Sequence, residues 1–137
     1  TLPFVEESEA NEKVKQLYAE IKAGFGADHV PNVYKVLAHN PRILEATVEH
    51  RDRIMGEGKL DARLKDWLAW ATVTLANNAF GVQTHTARLK KLGVSSAEIL
   101  EALAVLQYFT GISTVINGLA MADDVDPRVL EYLRQDP

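Results

Sequence analysis

Residues 77–103 read NNAFGVQTHTARLKKLGVSSAEILEAL and contain the end of one helix and the start of the next. Gly93 follows a lysine-rich turn, and a glycine at this place commonly ends a helix because it accepts left-handed backbone. Ser95 and Glu98 have the spacing of a capping box, in which each side chain binds a backbone N–H at the start of a helix. The stretch therefore predicts two helices joined by a very short connection.

Helical signals recur along the rest of the chain. Apolar residues stand three and four apart in the first predicted helix, at Val14, Leu17, Tyr18, Ile21 and Phe25. Helix starts are indicated by a capping residue followed by proline at Asn40-Pro41 and Asp126-Pro127, and by a capping aspartate at Asp61. Alternating strand patterns are not evident. We therefore predict one all-α domain over residues 1–137, a bundle of six or seven helices with a helical hairpin at residues 60–122.

Composition excludes several classes of function. The chain has 137 residues, of which 47% are hydrophobic and 25% are charged, as in a folded globular domain. Its net charge is −4, and the longest basic run is Lys90-Lys91, so we expect no nucleic-acid partner. No uninterrupted apolar run approaches the roughly 20 residues that span a bilayer. We expect a soluble, cytoplasmic protein without a membrane partner.

The chain contains no cysteine. This excludes disulfides, thiolate metal sites and a cysteine nucleophile within this chain. The four histidines show no spacing such as His-x-x-x-His that would complete a metal site, so we also expect no metal.

His85 is the candidate catalytic residue. Asn78, Gly81 and His85 share one face if the helix is continuous, and Gln83 adds a hydrogen-bonding group nearby. Asp66 lies on the preceding helix and can orient the imidazole if the chain bends near Gly81, which would raise its basicity. The alternative is an exposed histidine on an amphipathic helix with no catalytic role.

Two tryptophans stand three residues apart on the helix that carries Asp66. Trp67 and Trp70 are explained by core packing, by burial in a homo-oligomer, or by closing a pocket beside His85. Helices this apolar on more than one side favour self-association.

Three segments resemble the carboxymuconolactone decarboxylase and AhpD-like alkylhydroperoxidase superfamily. They are LDARLKDWLAWATVTLANN (60–78), GVQTHTARLKKLGVSSAEILEAL (81–103) and YFTGISTVINGLAMA (108–122). In the peroxidase branch the motif is an upstream acid, then Cys-x-x-Cys-x-x-x-His. The resemblance gives His85 the place of the histidine and Asp66 the place of the acid. Asn78 and Gly81 stand where the two cysteines would be.

The broken motif changes the chemistry that the resemblance implies. Peroxide reduction needs a thiolate to attack the O–O bond and a second thiol to resolve the product, and neither is present. The decarboxylase branch implies acid–base chemistry, without any cofactor, on a small carbonyl or lactone acid. There His85 and Asp66 would be catalytic, and Asn78, Gln83, Trp67 and Trp70 would line the substrate site. The resemblance also implies a homo-oligomer, trimeric or hexameric.

Two classes of function remain open at this stage. One is a cofactor-free lyase or isomerase that acts on a small-molecule substrate. The other is a non-catalytic helical oligomer that binds a ligand or partner and has lost peroxidase activity with the cysteines.

Overall fold

The computed structural model describes residues 2–120 and 126–135, and within them the chain forms seven helices and no strand. The helices are α1 (Glu12–Phe25), α2 (Asn32–Leu37), α3 (Pro41–Met55), α4 (Ala62–Leu75), α5 (Ala79–Lys91), α6 (Ser96–Gly118) and α7 (Pro127–Tyr132). The all-α fold class is confirmed. The last two residues of the predicted core, 121 and 122, lie outside the described residues.

The chain divides into two compact units inside α4, at residues 1–69 and 70–137. The assignment of residues 1–137 to a single domain stays a prediction.

The first unit is built around α1, α2 and α3. Asn11 caps α1 by accepting the Val14 N–H at 2.9 Å, and Gly26 ends the helix in left-handed backbone. The face predicted from the three- and four-residue spacing is buried, and Tyr18 donates its hydroxyl to the Val5 carbonyl at 2.7 Å. Burying the tyrosine is inexpensive because its polar atom keeps a partner.

Helix starts in both units follow the predicted caps. The Asn40 side chain accepts the Ile43 N–H with Pro41 in the first turn of α3, and Asp61 accepts the Leu64 N–H at 2.8 Å. Asp126 accepts the Arg128 N–H at the start of α7.

The second unit joins α5 to α6 through the connection predicted from residues 77–103. Gly93 adopts a φ of +83°, and the Ser95–Glu98 capping box is complete in both directions. Leu89 and Val94 are buried on either side of the glycine. The short connection is therefore fixed by hydrogen bonds at its ends and by apolar burial around it.

Helix α6 is the longest helix among the described residues, and none of its 23 residues is buried. It is long and apolar enough to cross a membrane by length and composition, a test that we expected no segment to pass. The expectation was based on unbroken apolar runs, and polar residues do interrupt α6. Apart from Glu98 and Glu101, these polar residues are uncharged. Mean hydropathy over the helix therefore stays high.

Candidate functional site

The turn between α4 and α5 places the start of the candidate site. Helix α4 ends at Leu75, and Asn77 takes a left-handed φ of +55°. Asn78 is the N-cap of α5, and its side-chain oxygen accepts the Gly81 N–H at 2.9 Å. The chain therefore turns at Asn77 and Asn78 rather than near Gly81, because asparagine tolerates left-handed backbone and caps a helix well.

Gly81 serves packing instead. It is buried within α5, and a Cβ atom at this position would lie 2.7 Å from Cγ1 and 2.9 Å from Cβ of Val73 on α4. Such distances are too short for carbon atoms in contact. Glycine at this position thus lets α4 and α5 approach each other closely near the turn that joins them. We call these two helices and their turn the hairpin.

A side-chain hydrogen bond farther from the turn also joins α4 to α5. Trp70 is 2% exposed, and its indole N–H donates to the Thr86 hydroxyl at 3.0 Å. Thr74 in turn donates its hydroxyl to the Trp70 carbonyl at 2.7 Å. Buried indoles usually find such a partner, and this one joins the residue next to His85 to the preceding helix.

His85 is half-buried on α5, together with its neighbours Thr84 and Thr86. The Gly81 contact and the Trp70 hydrogen bond fix the rotation and depth of α5 at two points, four residues before His85 and one residue after it. Gln83 and Asn78 are exposed on the same segment. Of the predicted site residues in the second unit, Trp70 is buried in the hairpin, His85 is partly covered, and two amides face outward.

Asp66 lies on the part of α4 that belongs to the first unit and is only 1% exposed. It is the one polar or charged residue that is buried among the described residues. No buried side-chain nitrogen or oxygen atom in the described part of the chain lacks a hydrogen-bond partner. A buried carboxylate needs such partners because it has lost its hydration. Aspartate is seldom fully buried, so the position of Asp66 on α4 is unusual. Trp67 beside it is half-buried.

Two features were not predicted from the sequence, one in each unit. Thr86 was not identified as the partner of Trp70, because that pairing depends on where the hairpin turns. An open depression of about 530 Å³ on α3 was also missed; it is lined by Asn40, Arg42, Ile43, Ala46, Thr47 and His50. Arg42 and His50 follow the helical spacing on α3, which is the only signal that the sequence offered for it.

No group of three or more histidine, aspartate or glutamate side chains is arranged to hold a metal ion among residues 2–120 and 126–135. The chemistry that these residues offer is that of an imidazole, a buried carboxylate, amides and hydroxyls. Side chains of these kinds are able to exchange protons or to form hydrogen bonds with oxygen atoms, and none of them contains sulfur.

Comparison with known proteins agrees with the all-α fold. The model of the carboxymuconolactone decarboxylase family matches residues 41–124, a longer segment than the predicted core at 60–122. The chain is similar to the crystal structure of the alkylhydroperoxidase AhpD core from Rhodospirillum rubrum, with a TM-score of 0.82 and 26% sequence identity. That similarity covers 95% of this chain and 96% of the other.

No protein of curated function matches the sequence. The family match nevertheless covers more than half of the chain, includes α4, α5 and α6, and agrees with a structural similarity over nearly the whole length. The chain belongs to the carboxymuconolactone decarboxylase family.

Proposed function

We propose that this chain is a cysteine-independent member of its family that decarboxylates or isomerises a small carbonyl or lactone acid, with His85 as the proton acceptor and donor. The observation that carries the proposal is the placement of His85. A half-buried imidazole stands on a helix whose position is set by the Gly81–Val73 contact and the Trp70–Thr86 hydrogen bond. General acid–base catalysis needs such a positioned group, with a pKa near the operating pH.

The proposed reaction moves protons and needs no oxidant. In an isomerisation, His85 removes a proton from the carbon next to the carbonyl, and the electron pair of the broken C–H bond forms an enolate. Where a C=C bond of the substrate is conjugated with that enolate, the imidazolium then returns a proton to the far carbon of the conjugated system, and the double bond shifts. In a decarboxylation, the C–C bond to the carboxylate breaks and releases CO₂, the electron pair forms the enolate, and protonated His85 supplies the proton that the product needs.

We assign Asp66 the role of the carboxylate that fixes the tautomer of His85 and stabilises its protonated form. The support is the burial of Asp66, since an aspartate is seldom kept so far from water without a specific use. The assignment requires a hydrogen bond between the two side chains, which an NMR measurement of the imidazole N–H protons can detect.

Asn78, Gln83, Trp67 and Trp70 stay proposed substrate contacts with unequal support. Asn78 already uses its oxygen to cap α5, so only its amide nitrogen is offered to a substrate oxygen. Gln83 is exposed and Trp67 is half-buried, and both are able to meet a ligand. Trp70 supports the site from inside the hairpin.

A second candidate function is a non-catalytic helical protein that binds a ligand. One observation favours it: both positions that carry cysteines in the peroxidase motif now have structural uses. Asn78 caps α5, and Gly81 permits the close packing of two helices. A non-catalytic binding protein would need the cap and the close packing for its fold, and it would need no chemistry from His85.

Turnover of a panel of β-keto, γ-keto and lactone acids separates the two candidates. Wild type should convert at least one of them, and His85→Asn should lower kcat/KM by about 10²- to 10⁴-fold, the usual contribution of general acid–base catalysis. Asp66→Asn should lower it less and should displace the pH–rate profile. Gln16→Glu, at an exposed position on α1, is the control and should leave turnover unchanged. Ligand-induced thermal stabilisation without any turnover would favour the binding protein.

A further inference from the structure

The stretch of the second unit that carries His85 contains no acidic side chain. Residues 70–97 run from the last part of α4 to the start of α6 and include no aspartate or glutamate, although the whole chain has 19 acidic residues and a net charge of −4. The same stretch carries three basic residues, Arg88, Lys90 and Lys91. His85 therefore stands in a segment whose fixed charges are all positive, and such a segment attracts anions.

Arg88 differs from the other basic residues of the second unit in its burial. The unit has five basic residues, all within the part of the chain that the structure describes: Arg88, Lys90, Lys91, Arg128 and Arg134. Arg88 is half-buried, whereas the other four are exposed. Water and salt screen a partly covered guanidinium less than an exposed one. Arg88 is therefore the basic residue of this unit that is best placed to hold an anion.

Arg88 lies on the side of α5 that carries His85. The two residues are three apart in sequence, and residues at this spacing in a helix have Cβ atoms about 5–6 Å from each other. Gly81 stands on the same side, seven residues before Arg88, and its close contact with Val73 fixes the rotation of the helix. The imidazole and the guanidinium thus start from neighbouring positions on one fixed helix, so a small molecule beside α5 is able to contact both.

The guanidinium of Arg88 supplies a charge that the amides near His85 lack. Asn78 and Gln83 are neutral, so neither of them compensates the charge of an acid. Arginine stays protonated, and its planar fork binds both oxygens of a carboxylate through parallel N–H···O hydrogen bonds. An acid held in this way at Arg88 would have its neighbouring carbon atoms within one helical turn of the imidazole.

We propose that Arg88 binds the carboxylate of the acid on which His85 acts, and that it makes the site selective for anionic over neutral carbonyl compounds. The identity of the anion as a keto or lactone acid rests on the proposed function. Arg88 acts in binding alone and takes no part in proton transfer. A role of Arg88 confined to folding is the alternative, and it predicts equal losses of binding for an acid and for its neutral ester.

Binding of an acid and of its methyl ester separates these two roles. The probes are levulinate, a γ-keto acid, and paraconate, a γ-lactone acid, and each is compared with its methyl ester by NMR titration. Wild type should bind at least one acid about tenfold more tightly than the ester. Arg88→Gln should raise the dissociation constant of that acid by about 10- to 100-fold, the usual contribution of a hydrogen bond to a charged group, and should change that of the ester by less than about threefold. Lys91→Gln removes the same charge from an exposed position and should change both constants by less than about threefold.

Arg88→Lys is a second variant that keeps the positive charge and loses the fork. It should bind the acid less tightly than wild type and more tightly than Arg88→Gln, with binding of the ester unchanged. Circular dichroism checks the fold of each variant, and if Arg88→Gln does not fold, the same comparison of acid and ester is made with Arg88→Lys. Equal effects of Arg88→Gln and Lys91→Gln, parallel losses for acid and ester, or no preference of wild type for either acid would overturn the proposal.

The same titrations distinguish this proposal from the catalytic one. His85→Asn should lose turnover and should keep the dissociation constant of the acid within about threefold of wild type. Binding that depends on Arg88, without turnover of any acid, would contradict the catalytic role of His85 alone. Turnover that depends on His85, with acid binding unaffected by Arg88→Gln, would contradict the assignment of Arg88 alone.

Discussion

At the scale of single residues, Gly81 shows how a position in a chemical motif takes on a packing role. The sequence resemblance gives Gly81 the place of a cysteine of the peroxidase motif, and its missing side chain is what allows Val73 to lie against the backbone of α5. A cysteine at this position would have to displace a β-branched side chain that has few alternative rotamers. The present packing of the hairpin and the thiol chemistry of the motif are therefore mutually exclusive at this site.

We predict that Gly81→Ala lowers the free energy of unfolding by about 1–2 kcal/mol, as overpacking usually does, even though alanine is the better helix former. Urea denaturation monitored by circular dichroism measures the change. The matched control is the double variant Val73→Ala/Gly81→Ala, which removes the shorter of the two close contacts, that with Cγ1 of Val73, and keeps the contact with Cβ. Its destabilisation should be smaller than the sum of the two single changes, and strict additivity would contradict the close contact.

Asn78 permits a test that separates its helix cap from a role in substrate binding. Asn78→Ala should cost about 1 kcal/mol of stability through loss of the cap, whereas Asn78→Asp should keep the cap and the stability, since aspartate caps equally well. Aspartate cannot donate a hydrogen bond to an anionic substrate. Asn78→Asp should therefore raise KM while leaving the urea midpoint close to that of wild type. An unchanged KM in this variant would remove Asn78 from the substrate site.

At the scale of helices, the ends of the elements were predictable because their signals are local. The Ser95–Glu98 box, the Asn40-Pro41 start and the left-handed glycine Gly93 each act within four residues of sequence, and each is found where the sequence indicates it. The sequence left open whether Gly81 marks a bend or a close approach of two helices, because a glycine inside a helix and a glycine at a bend give the same sequence signal; the chain turns at Asn77 and Asn78. Only packing against Val73 distinguishes the two.

The capping box gives a prediction at this scale. Ser95→Ala should destabilise the chain by about 1 kcal/mol, because the Glu98 N–H at the start of α6 loses its hydroxyl acceptor. Thermal denaturation should show a lower Tm. Ser96→Ala is the control, since its hydroxyl only accepts an exposed hydrogen bond from Lys90, and its effect should stay within about 0.5 kcal/mol. Equal losses in the two variants would mean that the cap contributes nothing beyond a surface contact.

At the scale of the whole molecule, fold and chemistry separate. The chain shares its fold with the Rhodospirillum rubrum alkylhydroperoxidase AhpD core over nearly its entire length, yet it contains no sulfur other than that of its two methionines. A fold does not determine an activity, and this chain has the fold without any cysteine. From sequence, the fold class and the candidate histidine could be proposed, but the burial of Asp66 and the exposure of α6 depend on long-range packing and could not.

The absence of thiols predicts no dithiol-dependent hydroperoxide turnover. Purified protein supplied with cumene hydroperoxide and dithiothreitol should consume peroxide at the rate of buffer alone, because no side chain is able to form the sulfenic acid intermediate. Consumption is followed by the ferrous oxidation assay. Turnover that persists through a second purification step and scales with protein concentration would show a redox centre other than cysteine.

The role proposed for His85 is proton transfer to and from carbon, and exchange of substrate hydrogen for deuterium is a direct measure of that transfer. Each acid of the keto and lactone panel is incubated in D₂O with wild type or His85→Asn, and proton NMR follows loss of the signal from the carbon next to the carbonyl. We predict enzyme-dependent exchange in at least one compound and a reduction of about 10²-fold or more in His85→Asn, with the urea midpoint unchanged. Exchange at the wild-type rate in His85→Asn, or no exchange above buffer for any compound with wild type, would contradict the assignment.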